Sequence, residues 1–351
     1  MKSIVFTAPG KAVWQEEARP TPQPGEVRVR LVRSAVSSGT ERANVRGLPD
    51  CQVGIFSESE EVHWPRRSGY SSSGVVEAVG PGVESLAVGA RVALSWSVHS
   101  QYVCLPVAQV YPLPDEVSFE AAAWTHIATF ALAAIRKCRL EIGESAMVMG
   151  MGILGQLAVK LLRAAGAAPV LAADPEAAAR ERALAFGAEA ALDPRAEDFA
   201  AQAKALCRGE GAVMRARVPM DGPRVAIEAS GNGEALKQAL TAVAPYARVA
   251  LLGCTRATDF SIDYYHLVHG RGVTMVGAHT LARPAQESSP GGWTEREDAL
   301  AVIRLMQLGR LDLDALVDEV HAPAECGEVY ARLASGGSFP NVQFDWTENR
   351  R

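Results

Sequence analysis

At 351 residues the chain exceeds what one hydrophobic core usually organises, so two domains are expected. Its 48% hydrophobic and 21% charged residues describe an ordinary globular protein, and a net charge of −5 argues against a general nucleic-acid binder. The six cysteines stand singly with no C-x-x-C pair, which suggests neither a disulfide framework nor a zinc ribbon and favours a reducing cytoplasm. The N-terminal residues mix charges with apolar positions, unlike a signal or transit peptide, and no apolar run approaches the ~20 residues that span a bilayer.

Taken in order, the chain opens with a short hairpin turned at Pro9-Gly10, then a strand alternating Val27, Val29 and Leu31 with arginines. Ser37-Ser38-Gly39-Thr40-Glu41 enters a short helical piece closed by Gly47, and a less ordered stretch follows. Val75-Val76 predicts a strand turned by Gly80-Pro81-Gly82, and GARVALSW and SQYVCLP predict two more around His99. From Phe119 an alanine-rich segment predicts helix. Strands alternating with helices then predict a doubly wound parallel sheet. An amphipathic helix, REDALAVIRLMQLG, follows, and the chain closes with turns and FPNVQFDW.

The organising stretch is MVMGMGILGQLAVKLLRAAG. An apolar strand reaches Gly150, Gly152 and Gly155 complete a G-x-G-x-x-G turn, and a helical pattern follows. That order suits a dinucleotide pyrophosphate, with the helix N-terminus facing the negative charge. Backbone groups of Ile153 and Leu154 share the turn. A second apolar run ends in Asp174, at the offset of an acid that binds the ribose 2′-hydroxyl and repels a 2′-phosphate. NAD(H) is therefore expected over NADP(H), although Arg180 stands six residues on.

PGEVRVRL, GVVEAVGPGV, the glycine turn, FGAEAALDP and VAIEASGN together resemble the medium-chain dehydrogenase/reductases, the zinc-type alcohol dehydrogenase superfamily. The resemblance implies a GroES-like β-rich catalytic domain from residues 1–126 and 278–351, with a Rossmann domain at 127–277. It also implies a homodimer and places Ser230 and Thr129 at the cofactor.

In that family a catalytic zinc sits on two cysteines and a histidine. The matching positions here are Ser38 before Gly39-Thr40-Glu41, Tyr70 in Gly69-Tyr70-Ser71-Ser72-Ser73-Gly74, and Thr125. None is a usual zinc ligand, and the family's four-cysteine structural lobe is missing, so no metal is expected.

Hydride transfer to a carbonyl builds charge on oxygen that something must stabilise. Tyr70 is one candidate donor, given a partner that brings its pKa toward neutrality, or else it packs the wall. Thr40 matches the family's proton-relay hydroxyl or caps a helix, and Glu41 orients neighbours, pairs with an arginine or takes part directly. His126 and His99 are candidate acids or bases, or structural. Arg66 and Arg67 either recognise an anionic or polyhydroxy substrate or form a solvated pair.

Ser-Gly-Thr-Glu and Gly-Tyr-Ser also resemble a zinc-free branch that includes a bacteriochlorophyllide hydroxyethyl dehydrogenase. The expected function is NAD(H)-dependent interconversion of a secondary alcohol (polyol, sugar or similar) and a ketone. A quinone or enone reductase, or a nucleotide-binding protein without turnover, are the alternatives.

Overall fold

The computed structural model describes residues 1–48, 62–208, 220–254 and 260–347. The less ordered stretch expected after Gly47 lies largely outside them. Two compact units form, Met1–Ile127 with Ala299–Arg351, and Ala128–Asp298.

In the first unit the opening hairpin is Lys2–Ala8 and Lys11–Glu16, turned at Pro9-Gly10 as the sequence predicts. The strand Glu26–Ala35 buries the alternating Val27, Val29 and Leu31 completely. It pairs antiparallel with Ser71–Val79, Tyr102–Pro106 and Val342–Asp345. The last pairing returns the C-terminal segment to the N-terminal sheet, with Phe344 opposite Ser34.

Two features of this unit differ from the sequence reading. The expected alanine-rich helix is two, Phe119–Ala122 and Thr125–Lys137. At the break, the Ser71 and Ser73 hydroxyls donate to the carbonyls of Ala123 and Phe119 at 2.6 Å each. Ser71 thereby satisfies the Ala123 carbonyl, which a continuous helix would have satisfied itself, whereas the Phe119 carbonyl also accepts from Ala123 N at 3.0 Å. The closing turns also contain a helix, Cys326–Ser335, which buries Cys326, Val329, Tyr330 and Leu333. Spacing of three, one and three residues is one helical face, so this element was readable.

The second unit is a six-stranded parallel sheet in the order Ala190–Leu192, Val170–Ala173, Ala146–Met149, Val225–Glu228, Arg248–Leu251, Thr274–Gly277. The chain winds outward in both directions from the central pair Ala146–Met149 and Val225–Glu228, so a crevice opens at their carboxyl ends. Residues 278–298 pack with this compact unit. Side chains from the helix Thr125–Lys137 hold the segment: Lys137 Nζ donates to the Gly277 carbonyl, and Arg136 Nε to Asp298 at 2.7 Å. Among the described residues no helix is long and apolar enough to cross a membrane.

Candidate active site

The nucleotide turn joins the strand Ala146–Met149 to the helix Ile153–Ala164. Two of its glycines are fixed by close approach. A Cβ on Gly155 would lie 1.8 Å from the Gly150 carbonyl oxygen, and one on Gly150, at φ +87°, would lie 2.8 Å from Ser230. Gly152 faces open space and is the helix N-cap without a side-chain cap. The first helical N–H groups are thus left for an anion, and no Cβ fills the place where a pyrophosphate would rest.

Asp174 follows the strand Val170–Ala173. One carboxylate oxygen accepts from Met151 N at 2.8 Å and the other from Glu176 N at 2.9 Å, so the acid is tied to the glycine turn itself. Arg180 donates to the carbonyls of Asp174 and Pro175 at 2.8 and 2.9 Å and faces Asp193, which Arg195 also pairs.

The turn has supports that the sequence reading missed. Gln156 Nε2 donates to the Met151 carbonyl at 2.8 Å. Buried Glu228 accepts from the Ser230 hydroxyl and, at 2.8 Å, from Ser230 N. Burial raises the Glu228 pKa, against the opposing hydrogen bonds from Ser230 and Gly231. Ser230 therefore spends its hydroxyl on Glu228 and presents backbone beside Gly150. Thr129 is fully buried, and its hydroxyl accepts from Arg283 at 3.2 Å.

In the β-rich unit, the short helix Ser38–Arg46 and the residue before the strand Ser71–Val79 form a hydroxyl cluster. The Tyr70 hydroxyl donates to Ser37 Oγ and lies 3.4 Å from Thr40 Oγ1. Thr40 is exposed and Tyr70 half-buried. The edges of Trp96 and His126 meet at 4.7 Å between ring centroids, and Tyr70 packs 5.5 Å from His126. Trp96 adopts φ +57°, unusual for a bulky residue, with its N–H on the Tyr70 carbonyl at 2.8 Å.

The surroundings of Tyr70 do not bring its pKa toward neutrality. Burial pushes it up to about 12 and the Glu41 charge acts in the same direction, while the bonds to Ser37 and Thr40 oppose them. At neutral pH the group is a proton donor. Glu41 and His99 sit below the cluster, 0% and 1% exposed and bonded to each other at 3.1 Å, so neither presents a group to solvent. Arg66 is buried against backbone carbonyls of His63, Asn44 and Leu48, and Arg67 pairs with Glu17, so the substrate reading of both gives way to structure.

Two family models match this chain: an alcohol dehydrogenase GroES-like domain over residues 23–115, and a zinc-binding dehydrogenase over 154–290. The chain belongs to the zinc-type alcohol dehydrogenase superfamily. It is similar to an L-threonine 3-dehydrogenase of Pyrococcus abyssi, 26% identical and covering 93% of this chain and 92% of the relative. It is also similar to a D-guloside 3-dehydrogenase of Escherichia coli, 25% identical over 94% and 95% of the two chains. The crystal structure of galactitol-1-phosphate dehydrogenase from Escherichia coli shares the fold with a TM-score of 0.81, at 19% identity and 98% and 100% coverage.

This superfamily member departs from its family where the metal ligands belong. Ser38, Tyr70 and Thr125 offer hydroxyls, which do not fit zinc. The Tyr70 hydroxyl is engaged with Ser37, and the Thr125 hydroxyl is buried with no hydrogen-bond partner among the described residues.

Proposed function

We propose that the protein is a zinc-independent, NAD(H)-dependent oxidoreductase that interconverts a secondary alcohol and a ketone. The observation that carries this is the Tyr70 hydroxyl, set at a vacated ligand position and held by Ser37 and Thr40 as a hydrogen-bond donor. Relatives named as dehydrogenases of L-threonine and a D-guloside support the alcohol and ketone class.

The nucleotide unit fits a dinucleotide: an uncapped helix N-terminus for the pyrophosphate and Asp174 for the adenosine ribose. Arg180 and Arg195 are already paired with Asp193, which supports the preference for an unphosphorylated ribose. When bound, the nicotinamide supplies or accepts the hydride. In the reductive direction, charge grows on the substrate oxygen as its carbon gains hydride. Tyr70 turns its one hydrogen from Ser37 to that oxygen and passes it there, and exposed Thr40 is placed to return a proton from solvent.

The strand Thr274–Gly277 ends the parallel sheet, which supports a homodimer formed by edge-to-edge pairing as the family resemblance implies. Turnover with NAD(H) and NADP(H) against polyols, sugars, secondary alcohols, ketones and quinones tests the function. NAD-linked oxidation of an alcohol or reduction of its ketone is expected. Activity confined to NADPH and quinones would replace this reading with the reductase, and nucleotide binding without turnover would replace it with a non-catalytic protein.

A further inference from the structure

The proposed reaction leaves unused a buried hydrogen-bond network beneath Tyr70. Trp346 Nε1 donates to Ser34 Oγ at 2.9 Å, and Ser34 Oγ lies 2.7 Å from His99 Nδ1. His99 Nε2 lies 3.1 Å from Glu41 Oε2, which also accepts from the Tyr330 hydroxyl at 2.5 Å. Glu41 Oε1 accepts from Ser37 N at 2.8 Å. Ser34, Ser37, Glu41, His99 and Tyr330 are all less than 5% exposed.

The Ser34 oxygen accepts the indole N–H, and one hydrogen lies between its hydroxyl and His99 Nδ1. Another lies between His99 Nε2 and Glu41 Oε2. Glu41 also accepts from Ser37 N and the Tyr330 hydroxyl, two donors that suit a carboxylate.

This network reaches the hydroxyl cluster at two adjoining points. Gly69, at φ +92°, lies directly on the His99 ring, where a Cβ would approach Cδ2 to 2.8 Å, and Tyr70 is the next residue. Ser37 is the second point. Its N–H is held by Glu41, and its hydroxyl oxygen accepts from Tyr70.

We propose that Glu41, locked by His99 and Tyr330, is a positioning residue for Tyr70: it fixes Ser37, the partner on which the Tyr70 hydroxyl rests, and its charge adds to the burial that disfavours the phenolate. The proposal rests on Tyr70 as the group that faces substrate oxygen. The upward shift of both phenols agrees, because burial and then the Glu41 charge raise Tyr330 well above the ordinary tyrosine value, as they do Tyr70. Thr40, Ser37, Trp96 and the titratable ring of His126 also stand against Tyr70. Of these, Ser37 is the one that Glu41 holds.

The test is the titration midpoint of Tyr70 in the full-length protein, read by NMR of ζ-carbon-labelled tyrosine and assigned by its loss in Tyr70→Phe. Glu41→Gln removes the charge in the same shape and is expected to lower the midpoint by about one pH unit or more. Glu41→Asp keeps the charge and is expected to hold the midpoint near the wild-type value. An unchanged midpoint in Glu41→Gln overturns the proposal. So does an equal fall in Glu41→Asp, which would mean that the site merely loosened. If Glu41→Gln does not fold, Ser37→Ala carries the test: the Ser37 hydroxyl can turn to donate to the phenolate, so losing it raises the midpoint, and no change overturns the proposal. Because no substrate is present, this titration fails or succeeds independently of the turnover assays that judge the reaction.

Discussion

His99 Nε2 and Glu41 Oε2 lie 3.1 Å apart with both side chains sealed from solvent, whereas Tyr70 is half-buried and bonded to Ser37 beside exposed Thr40. Of these three, Tyr70 is the residue with exposed surface. Tyr70→Phe is expected to lower kcat by about ten- to a thousandfold, the usual scale of proton-transfer assistance. An unchanged kcat would leave Tyr70 as wall.

The glycine turn separates folding from binding. Gly155→Ala forces a Cβ against the Gly150 carbonyl and is expected to cost about 2 kcal/mol or more in stability, read by urea unfolding. Gly152→Ala meets nothing in the protein and adopts the same φ of −66° without strain. It is expected to leave the unfolding midpoint in place while weakening NAD binding measured by calorimetry. Equal binding by that variant would place the pyrophosphate elsewhere.

The proposed cofactor preference rests on Asp174. Asp174→Ala removes the carboxylate that Met151 N holds toward the turn, and is expected to reduce the ratio of NADP+ to NAD+ dissociation constants by about tenfold, the worth of one charged hydrogen bond. A ratio unchanged from wild type would refute the assignment.

Thr125 stands where the family places a metal ligand, yet its buried hydroxyl has no hydrogen-bond partner among the described residues. Replacing an unsatisfied buried hydroxyl with a methyl is neutral or stabilising. Thr125→Val is thus expected to keep or raise Tm and to retain activity. Loss of activity at unchanged Tm would show that the hydroxyl serves the reaction.

The strand order and the nucleotide turn were legible because period and glycine spacing are local signals. Val27, Val29 and Leu31 alternate into the core, and Gly150 and Gly155 each answer to a close contact. The helix Cys326–Ser335 was equally legible in its apolar spacing but was read as turns. The catalytic cluster was only half legible. Tyr70 and Thr40 could be placed by resemblance, whereas the pairing of His99 with Glu41 joins positions 58 residues apart. Tyr330 and Trp346 join the same network from the C-terminal segment. Contacts closed through the sheet by Val342–Asp345 leave no trace in sequence period. The rise of the Tyr70 pKa comes from its burial first and then from the Glu41 charge, neither of which a sequence motif displays.

The central claim is alcohol and ketone chemistry without zinc. The most direct measurement is NAD-linked turnover of the best substrate from the panel, by protein dialysed against a strong chelator, with zinc content determined on the same sample. The account predicts full turnover at far less than one zinc per chain, and loss of that turnover in Tyr70→Phe. Turnover that disappears with the metal and returns at about one zinc per chain would contradict it.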